Sequence, residues 1–349
     1  MLFFFNRLTL LLKNKALPSK IEMYRRILSE GIPFFGVLLI SGLVFSCDDN
    51  DEVADAIEKI ELDLKVERFD REFAEAEPLD IPILKKAYPY LFPAQYTDSV
   101  WIAKLQDSIQ IELLSEVGQA FSDFSDEQQD LELLFKHIKY YFPEYQVPEV
   151  VTVTSDIDYN NRIILTDSLL LIGLDNYLGA GHRFYEGFSK YIAADLDKKY
   201  LTSDVASAFA KQVVPKPRER SFLAQMIYYG KELYLKDKLL PFISDAQKIS
   251  YSEEELAWAE ANEEQIWRNF IEQEHLYSTD SRLGQRFLDS APFSKFGLEP
   301  DNESPGRIGR YVGWQIVRAF MEKNEVSLQQ MLGLSAGETF KKSNYKPEK

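Results

Sequence analysis

Apolar and polar side chains alternate strictly over residues 60–67, where Ile60, Leu62, Leu64 and Val66 interleave with Glu61, Asp63, Lys65 and Glu67. Period two over that length predicts a half-buried strand. Short runs rich in Val, Ile and Leu predict three more strands at 149–154, 162–165 and 169–173, with Asp158-Tyr159-Asn160-Asn161 turning the chain between the first two. Elsewhere the spacing is helical. A short helix is predicted over 69–76, after which Pro78, Pro82, Pro89 and Pro93 cut the chain into turns and short helices. Residues 97–121 and 125–142 read as amphipathic helices, the second with Leu131, Leu134, Phe135 and Ile138 on one stripe and Ser125 as its N-cap. From His182 onward, helices are predicted at 182–195, 202–214, 219–239, 252–276, 305–323 and 327–332. Ser252 with Glu255 forms a capping box, and Ser304 precedes a proline at a first helical position, Pro305. There is no internal repeat and no long Gly/Ser linker. The expected fold is therefore α+β and predominantly helical, a small N-terminal to central β-sheet followed by a helical body, in one compact domain over 57–349.

One segment breaks this pattern. Residues 32–45 are almost wholly apolar, and Ser46, Cys47 and the acidic run Asp48-Asp49-Asn50-Asp51-Glu52 follow. About 14 residues is too short for a membrane-spanning helix and has the length of a secretory signal core ending at a small residue. Val44-Phe45-Ser46-Cys47 resembles a bacterial lipobox, with Phe45 bulky for its place, so Cys47 is the expected lipidation site. A buried core cysteine is the competing reading. Residues 1–46 are then a signal region. Met23-Tyr24-Arg25-Arg26 would supply a basic flank, which makes Met23 a candidate start. An amphipathic N-terminal helix is the alternative for residues 1–22. Residues 47–56 read as a lipidated, solvated acidic tether.

Charge narrows the partners. The chain carries −16, and its first 46 residues hold six basic and two acidic side chains, so the remainder is near −20. Such a surface repels nucleic acid and anionic headgroups, leaving the lipid as the means of membrane attachment. A single cysteine allows no internal disulfide, so an exported fold must rest on its core.

Candidate chemistry is sparse. Zinc on a helix needs two imidazoles one turn apart, and His137, His182 and His275 supply no such pair. No Gly-x-Ser-x-Gly surrounds a serine, and neither Gly179-Ala180-Gly181 nor Gly306, Gly309 and Gly313 make a phosphate loop. Carboxylates are too numerous for any pair to be informative. Two stretches stand out. Gly306, Gly309 and Gly313 fall on one helical face beside Arg307 and Arg310; close helix packing is the favoured reading and an anion site the other. Met226, Tyr229 and Leu233 form a second stripe, read as core.

The stretch Ala224-Gln225-Met226-Ile227-Tyr228-Tyr229-Gly230-Lys231-Glu232-Leu233-Tyr234 is followed by Glu260-Ala261-Asn262-Glu263 and Tyr277-Ser278-Thr279-Asp280. Ala291-Pro292-Phe293-Ser294-Lys295-Phe296-Gly297, Asn302 through Gly309, and Gly313-Trp314-Gln315-Ile316-Val317 complete the series. With Leu171 through Gly179, these resemble the gliding-motility lipoprotein B (GldB) family of Bacteroidetes, from about Ile57 to the C-terminus. The resemblance implies an envelope lipoprotein needed for gliding motility, in company with the type IX secretion machinery. It also implies distant similarity to gluzincin-type zinc proteases, hence a degenerate zincin-like scaffold. The stretch matching their zinc helix, Asp204 through Ala210, has no histidine, and Tyr229 stands at their later glutamate.

The resemblance and the residues together lead to a lipid-anchored, non-catalytic envelope protein, periplasmic-facing or at the outer membrane, with no metal and no cofactor beyond the lipid on Cys47. Its expected partners are other motility and secretion proteins of the envelope, bound through a groove lined by Tyr228, Tyr229, Lys231, Asn262, Glu263, Arg307 and Trp314. The rival readings are an envelope hydrolase, tested at Glu263, and a periplasmic chaperone for exported polypeptides.

Overall fold

The computed structural model describes residues 49–297 and 299–347; the signal region and Cys47 lie outside the described residues. The acidic segment is not an open tether. Helix α1 (Asp49–Glu58) forms there because Val53, Ala56 and Ile57 share one face, and Ile57 is buried as α1 packs on α6. Strand β1 is only Val66–Glu67. The alternation from Ile60 is therefore an edge-on approach, with Leu64 buried but no ladder partner before Val66.

Helices α2 (Phe69–Glu75), α3 (Ile81–Ala87) and α4 (Asp98–Leu105) follow, with α5 (Ser108–Ala120) and α6 (Ser125–Tyr141). The single helix expected over 97–121 is two, because the Asp107 carboxylate accepts the N–H groups of Ile109 and Gln110 at 2.9 and 3.1 Å and starts a new helix. Ser125 is the first residue of α6 rather than its cap; Asp123 accepts its N–H. Strands β2 (Glu149–Val153), β3 (Ile163–Leu165) and β4 (Leu169–Gly173) lie where the apolar runs placed them.

The sheet order is β1-β2-β4-β3, with β1, β2 and β4 parallel and β3 antiparallel on the edge. Both faces are covered, which is why β4 is apolar throughout and β2 is apolar apart from the exposed Glu149 and the buried Thr152, whose hydroxyl donates to Asp70. On one face Val151, Val153, Ile164, Leu169 and Leu171 meet α2–α4 through Phe73, Ile81 and Trp101, and the connection between α3 and α4 through Phe92. On the other, Val150, Leu170 and Ile172 join the main core of α5, α6 and the C-terminal helices.

Residues 182–195 are not one helix: a short turn at Arg183–Tyr185 is followed by the single-turn α7 (Lys190–Ala193). Tyr185 and Leu196 bury there with Tyr159, Phe184 and Phe188 in a separate aromatic cluster. Then come α8 (Leu201–Val213), α9 (Phe222–Leu239), α10 (Asp245–Ile249), α11 (Glu253–Ala261), α12 (Glu263–Glu272), α13 (Arg282–Phe287), α14 (Ile308–Lys323), α15 (Leu328–Gly333) and α16 (Ala336–Ser343). The Ser252–Glu255 capping box is present. The expected 252–276 helix breaks at Asn262, whose amide donates back to Trp258 O at 2.8 Å. Ser304 does not cap α14: Arg307, left-handed at φ 62°, is its N-cap, and Ser304 Oγ bonds instead to Ser294 and Asp301.

The centre of the helical body is the contact of α9 with α14. A methyl group on Gly313 would lie 1.9 Å from Met226 O, and one on Gly230 2.1 Å from Gly313 O. The two main chains touch, which only glycine permits. Close packing is thus the role of this glycine face; Gly306, outside the helix, similarly admits Ala291 O.

Candidate functional site

A cleft of about 470 Å³ opens where the start of β3 faces one stripe of α8. That stripe is Asp204, Ser207, Ala208 and Lys211, one helical face at i, i+3, i+4 and i+7. Tyr159, Asn160, Arg162 and Ile163 form the opposite wall, with Tyr191, Ile192, Asp195 and Ser290 closing the ends.

The Tyr159 wall is held by a buried carboxylate. After β2, Asp156 and Ile157 are both left-handed at φ 56°, a conformation that costs a β-branched residue of order 1–3 kcal/mol. Asp175 sustains it by accepting the N–H of Ser155 at 2.9 Å and of Ile157 at 2.7 Å. Burial pushes the Asp175 carboxyl up to about 6, against the lowering effect of those donors.

Ion pairs line the floor. Arg162 donates from Nε and Nη2 to the two Asp204 oxygens at 2.7 and 2.9 Å, and the Tyr177 hydroxyl donates to Asp204 Oδ2 at 2.9 Å. Burial works to lower the Arg162 pKa, but the Asp204 charge outweighs it and the guanidinium is held charged above its ordinary range. Arg307 Nη1 reaches Asp195 Oδ2 at 3.2 Å, and its Nη2 donates to Ser250 O at 2.8 Å. Behind α8 lies Lys236, whose Nζ donates to Ser203 Oγ at 2.8 Å and to Lys248 O at 2.7 Å. Its full burial brings the ammonium down to about 7. Burial raises the Glu232 carboxyl, while Tyr228, Lys211 and Arg310 act in the opposite direction.

The residues predicted to share a groove do not meet in one. Trp314 is fully buried, its Nε1 donating to Asp237 at 2.9 Å and its ring covered by Arg318 at 3.7 Å. Lys231 is also inside, donating to Leu332 O at 3.0 Å and Leu334 O at 2.6 Å at the end of α15; burial lowers it to about 8. Glu263 is buried between the hydroxyls of Tyr311 and Tyr345 at 2.8 and 2.7 Å. Asn262 serves the α11–α12 junction. Tyr228 and Tyr229 are half-buried, their rings 5.2 Å apart, with the Arg310 guanidinium 4.1 Å from the Tyr229 ring. Only Arg307 approaches the cleft, through Asp195. Long polar side chains there point inward because each caps a main-chain carbonyl or meets a buried partner.

Arg162, Asp195, Asp204 and Lys211 escaped the reading of the sequence. The i, i+3, i+4, i+7 recurrence of polar and small residues opposite the apolar face of Val205, Ala206, Phe209 and Ala210 was the available signal. Among the described residues no cluster of three or more His, Cys, Asp or Glu side chains is placed to hold a metal ion. No described helix is long and apolar enough to cross a membrane.

Comparison with curated proteins and with solved structures found no match, so the protease-like scaffold has the sequence resemblance alone behind it. The family described as gliding motility protein GldB matches residues 50–347, the whole folded body from α1 to the residues after α16. On that match the chain belongs to the GldB gliding-motility family.

Proposed function

We propose that this protein is a lipid-anchored, non-catalytic component of the cell envelope that supports assembly or stability of the gliding and type IX secretion apparatus through protein–protein contacts. The family match supports the motility role. The observation that carries the non-catalytic reading is the state of the cleft carboxylates. Asp204 accepts three hydrogen bonds from Arg162 and Tyr177, and Asp195 is paired with Arg307. Carboxylates tied up in this way are poor general bases, since a base needs a free lone pair near the reacting proton. Glu263, the residue on which a hydrolase reading turned, is engaged by two tyrosine hydroxyls away from the cleft.

The anchor is proposed at Cys47, with the body on the periplasmic side or at the outer membrane. Cys47→Ala should move the protein from the membrane to the soluble fraction and stop gliding. Normal gliding by cells whose Cys47→Ala protein is soluble would refute the anchor.

A further inference from the structure

Charge in the cleft is balanced. Two cations, Arg162 and Lys211, and two carboxylates, Asp195 and Asp204, line it. Arg162 is bound to Asp204, Asp195 is paired with Arg307 from outside the lining, and Lys211 acts on the buried Glu232. An anion would meet no unmatched cation there, on a chain that already carries −16.

The neutral groups of the lining are in the opposite condition. The hydroxyls of Tyr159, Tyr191 and Ser290 and the side-chain amide of Asn160 make no hydrogen bond with the described residues. The Arg162–Asp204 pair also has capacity to spare. Arg162 commits two of its five N–H donors to Asp204, which accepts three bonds with about four lone-pair sites. The wall that carries Tyr159 and Asn160 is fixed in advance. Asp175 holds the residues before it, Asn161 Nδ2 donates to Asp158 at 2.9 Å, and the Tyr159 ring stands edge-on to Phe188 at 5.4 Å. A ligand bound there bears little cost of ordering the protein.

What the cleft can offer is therefore neutral hydrogen bonding beside two aromatic rings. That suits a ligand with many hydroxyls, no net charge and apolar C–H faces to lay on a tyrosine, which describes a carbohydrate. A wholly apolar ligand would strip water from the free hydroxyls and amide and replace it with nothing. The volume, about 470 Å³, falls in the range of roughly 300–1,000 Å³ usual for small-molecule clefts.

We propose that this cleft binds a neutral glycan, with Tyr159 and Tyr191 against its sugar rings and Asn160 and Ser290 bonded to its hydroxyls. The Arg162–Asp204 pair supplies a further donor and acceptor. A glycan ligand goes beyond the protein–protein contacts proposed above, and neither reading rests on the other.

The experiment presents the purified protein to an array of neutral hexose oligosaccharides and of N-acetylated amino-sugar oligosaccharides, followed by calorimetric titration of the best-retained member. Retention by either set is the expected result, and the set retained tells a hexose polymer from an amino-sugar backbone as the source. Tyr191→Ala should weaken binding about tenfold and Asn160→Ala about fivefold. Tyr277→Ala, exposed and outside the lining, should leave it unchanged. Because no net charge is recognised, affinity should not fall as salt rises. Retention by neither set, full affinity in both cleft variants, or an equal loss in Tyr277→Ala would each overturn the proposal. So would a steep fall with salt together with displacement by inorganic phosphate, which would mark a small-anion site. Asn160 is exposed, so its variant keeps the test clear of any loss of fold.

Discussion

Replacing Lys236 by Met should change how stability depends on pH. Lys236 is fully buried against Ser203 Oγ and Lys248 O, and its ammonium falls from 10.5 to about 7. Above 10.5 neither state carries the charge. Between about 7 and 10.5 the unfolded chain binds a proton that the folded one does not, so stability falls as pH drops through this window. Below about 7 both states are charged and the loss is complete. At about 1.4 kcal/mol per unit the whole window amounts to about 5 kcal/mol, and two units within it to about 3 kcal/mol. Urea unfolding of wild type and Lys236→Met at about pH 7.5 and 9.5 reads this difference directly. The variant's stability relative to wild type should drop by about 3 kcal/mol from the lower pH to the higher. The lost hydrogen bonds offset both points equally, and Lys231, which titrates with the same sign, is common to both proteins. Parallel pH profiles would show that Lys236 stays charged inside the fold and would refute the reasoning.

Two further changes probe the scaffold. Gly313→Ala places a methyl group against Met226 O and should destabilise by about 1–3 kcal/mol through forced separation of α9 and α14, whereas Gly337→Ala, with open space around it, should be near neutral; thermal unfolding compares them. Asp204→Asn removes the counter-charge of a guanidinium that is mostly buried, and should cost about 3 kcal/mol in chemical denaturation, while Arg162→Met made together with it should recover part of that loss.

What could be read from the sequence followed local physics. Strands β2 and β4 announced themselves because both faces are buried, and Ser252 with Glu255 marked a helix start through short-range hydrogen bonds. The breaks at Asp107 and Asn262 were hidden because apolar spacing continues across each, the two helices sharing one core. Residues 182–195 carry enough apolar residues for a helix, yet their aromatic rings are taken up by Tyr159 and Ile157 from a distant loop. The groove failed for a related reason. Lys231, Glu263 and Trp314 have the chemistry of binding residues, but Leu332 O, Tyr311 and Asp237 meet them from positions far along the chain. The cleft depended on β3 lying beside α8, a pairing no local pattern encodes.

Helix α1 begins at Asp49 and is packed on α6 through Ile57. Only two peptide steps separate it from Cys47, a reach of at most about 7 Å. With an acyl chain on that thiol, the globular body rides directly against the headgroups and cannot swing on a leash. On that proposed anchor, partners would approach at the membrane surface, and from a restricted set of directions.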